Sequence, residues 1–163
     1  MEAVREAEES DGQRFAELAH EFIDDLASRR GGAQLVGTSE GGGDVDRPWA
    51  LHELLQDDLT LVLVGTLDGS VVGIAVCHQR LGLNHRRGVF DACFVEPDAR
   101  CVGLGRLLFD TMTTWLEEAG CDGVDGLVLP GARESKNLFE AAGFKARLLV
   151  MHRSFDKKAD AAD

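Results

Sequence analysis

The stretch that most constrains this chain is a strand that breaks at a proline, turns through two glycines and continues into a long amphipathic helix. It reads Phe94-Val95-Glu96-Pro97-Asp98-Ala99-Arg100-Cys101-Val102-Gly103-Leu104-Gly105-Arg106. The first N–H groups of a helix have no intrahelical acceptor, and the macrodipole makes that end positive. Glycine at 103 and 105 lets an oxygen approach the backbone with no Cβ in the way, and Arg100 and Arg106 add charge at the rim. A helix start of this kind suits phosphate. Two common phosphate loops are excluded. The Walker pattern is absent, and a dinucleotide fingerprint through 103 and 105 needs glycine where Leu108 stands.

The elements around this segment follow from periodicity. Ala3 to Ala7 alternates weakly, as a first strand. Ser10 and Asp11 cap a helix from about Gly12 to Ser28, with apolar positions Phe15, Leu18, Ala19, Phe22 and Leu26. Glycines at 31, 32, 37 and 41–43 mark a long loop, and Pro48 opens a short helix through about Gln56. Leu59 to Val64 and Val71 to Cys77 are strands joined at Asp68-Gly69, the strongest short hairpin signal. Val89 to Val95 is the third strand of a meander. The helix from about Gly103 to Ala119 has an expected buried stripe of Leu104, Leu107, Leu108, Thr111 or Met112, Trp115 and Ala119. Val124 to Leu129 reads as a strand, Arg133 to Ala142 as a helix, and Phe144 to Arg153 as a final strand. Helices and strands mixed without strict alternation indicate an α+β or mixed α/β layer fold on one largely antiparallel sheet. A chain of 163 residues forms one domain, here 1–155, followed by a polar tail over 156–163.

Composition narrows the partners. Acidic residues number 29 against 17 basic, a formal net charge of −12. That field disfavours nucleic acid, whose affinity comes largely from phosphate neutralisation, and mildly favours a cationic partner such as an amine. No apolar run approaches the ~18–20 residues of a membrane span. The start of the chain lacks the basic-then-apolar pattern of a signal peptide, so a cytoplasmic location is expected. Cys77, Cys93, Cys101 and Cys121 show no C-x-x-C spacing, and the five histidines form no H-x-x-x-H pair, so no metal is expected.

Val95-x-Pro97-x-x-Arg100-x-x-Gly103-x-Gly105 resembles the pyrophosphate-binding motif of the GNAT acetyltransferases. Roughly forty residues on, Leu138-Phe139-Glu140-Ala141-Ala142-Gly143-Phe144 resembles that family's second acyl-CoA motif. The element order agrees from about Ala3 to Arg153. The resemblance implies a sheet of about six or seven strands with about four helices, splayed between the strands ending near Val95 and Leu129. It also implies acetyl-CoA, or another acyl-CoA, as co-substrate. The pyrophosphate lies on the amides of Cys101, Val102, Gly103, Leu104, Gly105 and Arg106. The pantetheine arm pairs with Cys93, Phe94 and Val95 like an added strand. The thioester lies between that strand and Phe139, and the amine enters near the first helix. Cys101 serves through its backbone. His85, in a basic turn with Arg86 and Arg87, meets either the adenosine end or solvent.

The implied reaction is transfer of the acyl group, acetyl by the closest analogy, to a small-molecule or protein amine by direct attack in a ternary complex. Relatives often place a carboxylate on the central strand as base. Asp91 is the first candidate, assigned to the same strand face as Cys93, and Glu96 is the second. The oxyanion donor is an amide near Phe94. One departure stands out. Many relatives carry tyrosine at the position of Phe139, and this chain contains no tyrosine. The asparagine common near the start of that helix is replaced by Ala132 or Gly131. Ser135, one turn before Phe139, is a candidate for hydrogen-bonding the pantetheine or a water. A non-catalytic acyl-CoA-binding or regulatory domain is the alternative, and the analogy leaves homodimerisation open.

Overall fold

The computed structural model describes residues 1–32, 50–83, 85–148 and 151. Strand β1 (Glu2–Glu6) leads through a 3-10 turn into α1 (Gly12–Ala27), and a short helix α2 (Leu51–Leu54) precedes β2 (Thr60–Leu67). The meander continues with β3 (Ser70–Leu81) and β4 (Arg86–Val95). Helix α3 (Leu104–Glu118), strand β5 (Val124–Gly126) and helix α4 (Arg133–Ala141) follow. The sheet order is β1-β2-β3-β4-β5, antiparallel except for the β4–β5 pair. That parallel pair is the return of the crossover through α3.

Local chemistry sets these elements. Asp68 and Gly69 both take positive φ, 49° and 86°, the two-residue turn whose twist matches the flanking strands. The expected side-chain cap from Ser10 and Asp11 does not form on α1, because the Asp11 carboxylate is turned back to the chain before the helix. That carboxylate accepts from the Glu8 amide at 2.8 Å and from both terminal nitrogens of Arg5 at 2.7 and 2.8 Å. The Arg5 guanidinium holds the Asp11 carboxyl below the usual carboxylate range, against the opposing effect of burial.

The sheet is covered on both faces, which is why its central strands read as unbroken apolar runs. On one face Leu61, Leu63, Ala75 and Cys77 pack under α3 through Leu104, Leu108, Phe109, Met112 and Leu116. On the other, Val62, Val64, Ile74, Val76, Ala92 and Phe94 pack under Phe15, Leu18 and Ala19 of α1. The α3 stripe is therefore rotated from the expected one. Leu107 is 42% exposed, whereas Phe109 and Leu116 are buried. The ridge at 104, 108, 112 and 116 is a four-residue row, and that row meets the sheet.

The described residues give five strands rather than six or seven. β5 is half its expected length, because residues 127–129 carry no strand, and the described residues 144–148 carry none either. Met151 carries no strand, and positions 149, 150, 152 and 153 of the expected final strand, Pro48 and most of the glycine loop lie outside the described residues. Behind β5, Phe90, Phe109, Phe139 and Phe144 form an aromatic cluster with centroids 4.7 to 6.2 Å apart. Gly126 makes room for it, since a Cβ there would lie 2.4 Å from a Phe139 ring carbon. Gly126→Ala is expected to destabilise the fold by about 1–3 kcal/mol through overpacking, read as a lower denaturant midpoint at unchanged slope.

Candidate functional site

Two features of β4 build the site. The first is a bulge. Val76 faces Ala92 and Cys77 faces Phe90, so Asp91 has no partner on β3. One extra residue shifts the alternation by one. Phe90 accordingly packs under α3, whereas Ala92 and Phe94 pack under α1. Asp91 does not share the Cys93 face. Cys93 turns toward α3, its Sγ 3.8 Å from the Gly105 carbonyl, while Asp91 reaches His78, whose neighbour Cys77 lies on the α3 side. Burial pushes the Cys93 thiol up to about 12, which removes it as a nucleophile.

The second feature is a free edge. β5 pairs with β4 only at Gly88, Val89 and Phe90. Beyond Phe90 no strand among the described residues covers this side of β4. The Glu96 amide donates to the Val72 carbonyl at 2.9 Å, so Glu96 and Phe94 turn their polar groups toward β3 and Cys93 and Val95 turn theirs outward. The expected edge of Cys93, Phe94 and Val95 therefore reduces to Cys93 and Val95. Of the amides near Phe94, the same register turns that of Phe94 toward β3 and that of Cys93 toward the open edge. The outward Val95 carbonyl already accepts from Arg100 Nε at 2.8 Å.

The loop from β4 into α3 has the backbone expected of an anion cradle. Cys101 and Gly103 are left-handed, with φ of 66° and 94°, and Val102 between them keeps negative φ. Alternation of this sort turns successive amides toward one side. Gly103 is the N-cap of α3 and offers no side-chain cap. Among the described residues the amides of Cys101, Val102, Gly103, Leu104, Gly105 and Arg106 donate to nothing. A Cβ on Gly103 would meet no atom within 4 Å, so the mouth of the helix is open. Cys101 is exposed. These amides and the outward β4 edge suit a diphosphate joined to an extended chain.

The side chains named from the sequence do not all converge on this loop. Arg100 folds back over the Phe94 ring, 5.5 Å from its centroid, and does not extend to the rim. Arg106 pairs with Asp110 at 2.8 Å, but both are about half exposed, and such a pair binds too weakly to withhold the guanidinium from an anion. Glu96 is tied to Arg14 of α1, which also donates to the Val71 carbonyl at 3.0 Å, so this carboxylate staples the helix to the sheet. Phe139 is half-buried in the aromatic cluster, and Ser135 is exposed on α4 without a described hydrogen bond. The His85 turn lies at the far end of α3, where Arg86 donates to the Ala119 carbonyl at 2.6 Å. A 15-residue helix, about 22 Å, separates it from the cradle. Among the described residues no cluster of three or more metal-ligating side chains occurs.

Reading by sequence leaves His78 as a strand histidine with a structural role, and the structure places it against Asp91. Its Nδ1 lies 2.7 Å from Asp91 Oδ2. The Asp91 hydrogen bond raises the His78 pKa above the usual value, against the opposing effect of burial. The signal was its pairing with the bulge, which needs β3–β4 register.

Comparison with known proteins agrees with this geometry. Residues 13–144 match the model of the Acetyltransferase (GNAT) family. A solved aminoglycoside N-acetyltransferase, AAC(6')-Iy in complex with CoA, is 18% identical with TM-score 0.72, covering 96% of each chain. A ribosomal-protein-alanine N-acetyltransferase from Brucella melitensis biovar Abortus 2308 is 21% identical with TM-score 0.68, covering 94% of this chain and 99% of that one. A transcriptional regulator from Bacillus halodurans C-125 is 20% identical with TM-score 0.71, covering 95% and 100%. At these identities the likeness is one of fold. No curated protein matches the chain. Among the described residues no helix is long and apolar enough to cross a membrane.

Proposed function

Because this chain belongs to the GNAT acetyltransferase family, and is an acyltransferase by that membership, we propose that it moves an acetyl group from acetyl-CoA to an amine by direct attack in a ternary complex. The observation that carries this reading is the run of undonated amides from Cys101 to Arg106 beside the outward groups of Cys93 and Val95. In it the diphosphate lies on the loop amides and the pantetheine follows the β4 edge toward the bulge. The amine nitrogen attacks the thioester carbonyl carbon, the C–N bond forms, and the C–S bond breaks as the CoA thiolate leaves. The Cys93 amide stabilises the oxyanion, and Asp91 takes the proton from nitrogen. Protonation of the thiolate falls to water, since Phe139 has no proton to give and a thiol of pKa ~8.5 is a tolerable leaving group.

The acidic balance of the chain favours a cationic acceptor, a small amine or a protein amine. The proposed test is incubation with acetyl-CoA and a panel of a polyamine, neamine and peptides with free N-termini, reading thiol release. Release that depends on one class of amine supports the reading, and no release with any of them contradicts it. A second reading, a non-catalytic acyl-CoA binder, is favoured by the packing of Phe139 into the aromatic cluster where many relatives carry tyrosine. It predicts calorimetric binding of acetyl-CoA without thiol release.

A further inference from the structure

We infer that His78 is a positioning residue for amine acylation, donating its Nδ1–H to Asp91 Oδ2 so that Oδ1 is presented to the acceptor nitrogen. This deepens the proposed function and rests on it. The bulge makes the contact, because removal of the extra residue would return position 91 to the alternation of a regular strand, away from the face His78 occupies. The Nδ1 to Oδ2 distance of 2.7 Å suits a charge-assisted bond. Asp91 is 15% exposed at its side chain and His78 31%, so the pair is sheltered yet reachable from solvent. Among the described residues Nε2 of His78 has no partner, which leaves the ring anchored by Asp91 alone.

The charged groups facing His78 are Asp91 on β4, Asp57 in the turn before β2 and Arg80 on its own strand. The two carboxylates favour the imidazolium and Arg80 opposes it. The folded value lies above 6.5, so His78 keeps its added proton in acid and loses it as pH rises through that raised value. While protonated, it repels an incoming ammonium group. Loss of that proton therefore raises kcat/KM as pH rises through the raised His78 value.

The test compares wild type, His78→Asn and His78→Leu with acetyl-CoA and whichever panel amine wild type acetylates. Asparagine keeps a donor near the Nδ1 position and cannot titrate. His78→Leu should lower kcat at least ~10-fold, a share of the ~10²–10⁴ that general base catalysis supplies, with KM changed less. His78→Asn should keep kcat within about 3-fold of wild type, an orientation effect small beside that range, while its kcat/KM profile loses the inflection above pH 6.5. Equal losses in both variants, or a wild-type rate and profile in the leucine variant, would overturn the inference. Melting curves check that both variants fold. If wild type acetylates no amine, the proposed function fails. His78 is then judged by imidazole 15N titration of wild type and Asp91→Asn. Its pKa should fall back in Asp91→Asn, and an unchanged value overturns the pairing.

Discussion

Gly103→Glu should abolish the thermal stabilisation that acetyl-CoA gives the wild-type protein. A ligand at ~100 times its dissociation constant adds ~2.7 kcal/mol to stability. For a domain of this size that amounts to a rise of roughly 5–10 °C in Tm. The substitution places a carboxylate at the open N-cap of α3, where the undonated amides would otherwise meet phosphate. It removes the shift in two ways, by like-charge repulsion and by offering those amides a competing acceptor. Gly103 also has φ of 94°, so any side chain there costs about 1 kcal/mol of backbone strain. Gly103→Ala separates the two effects. It should carry the same backbone strain without the carboxylate and retain most of the ligand-induced rise. A full rise in Gly103→Glu would place the cofactor elsewhere.

Asp91→Asn should lower kcat/KM by about 10²–10³, within the range assigned to a positioned general base, while leaving the acetyl-CoA thermal shift unchanged. Asparagine has nearly the shape of aspartate, so the bulge and the packing of Ala92 and Phe94 persist. The amide cannot take the proton from the acceptor nitrogen. Steady-state kinetics with an acetylated amine checks the rate, and thermal shift checks the binding. A rate within about 3-fold of wild type would remove Asp91 as base, since the expected loss is far larger. Glu96→Gln provides the contrast. Its expected effect is on stability, through the Arg14 staple between α1 and β4, with catalysis little changed.

The elements that were legible in the sequence are those written in local chemistry. Asp68-Gly69 fixed the β2–β3 turn because both residues must take positive φ. The loop backbone ahead of α3 is legible because a strand, a proline, two glycines and a helix in that order leave few conformations. Other features depend on long-range register. Simple alternation from Cys93 puts Asp91 on the Cys93 face, and the bulge reverses it. The resemblance implies three consecutive residues as the β4 edge, whereas alternation along an antiparallel strand turns Phe94 to β3 and leaves Cys93 and Val95. His78 became visible only when β3 lay beside β4. Helix α3 was correct in extent but rotated, since Leu107 and Trp115 fit a helical stripe as well as Phe109 and Leu116 do. Only the sheet decides between those faces. Arg100 looked like a rim cation from its charge, yet the nearer Val95 carbonyl and Phe94 ring hold it.

The most direct test of the account is a 15N amide titration of the full chain with coenzyme A. The largest shifts should fall on Cys101, Val102, Gly103, Leu104, Gly105 and Arg106, with a second group at Cys93 and Val95 and little change at Phe94. Saturable binding that leaves the six loop amides unmoved would contradict it.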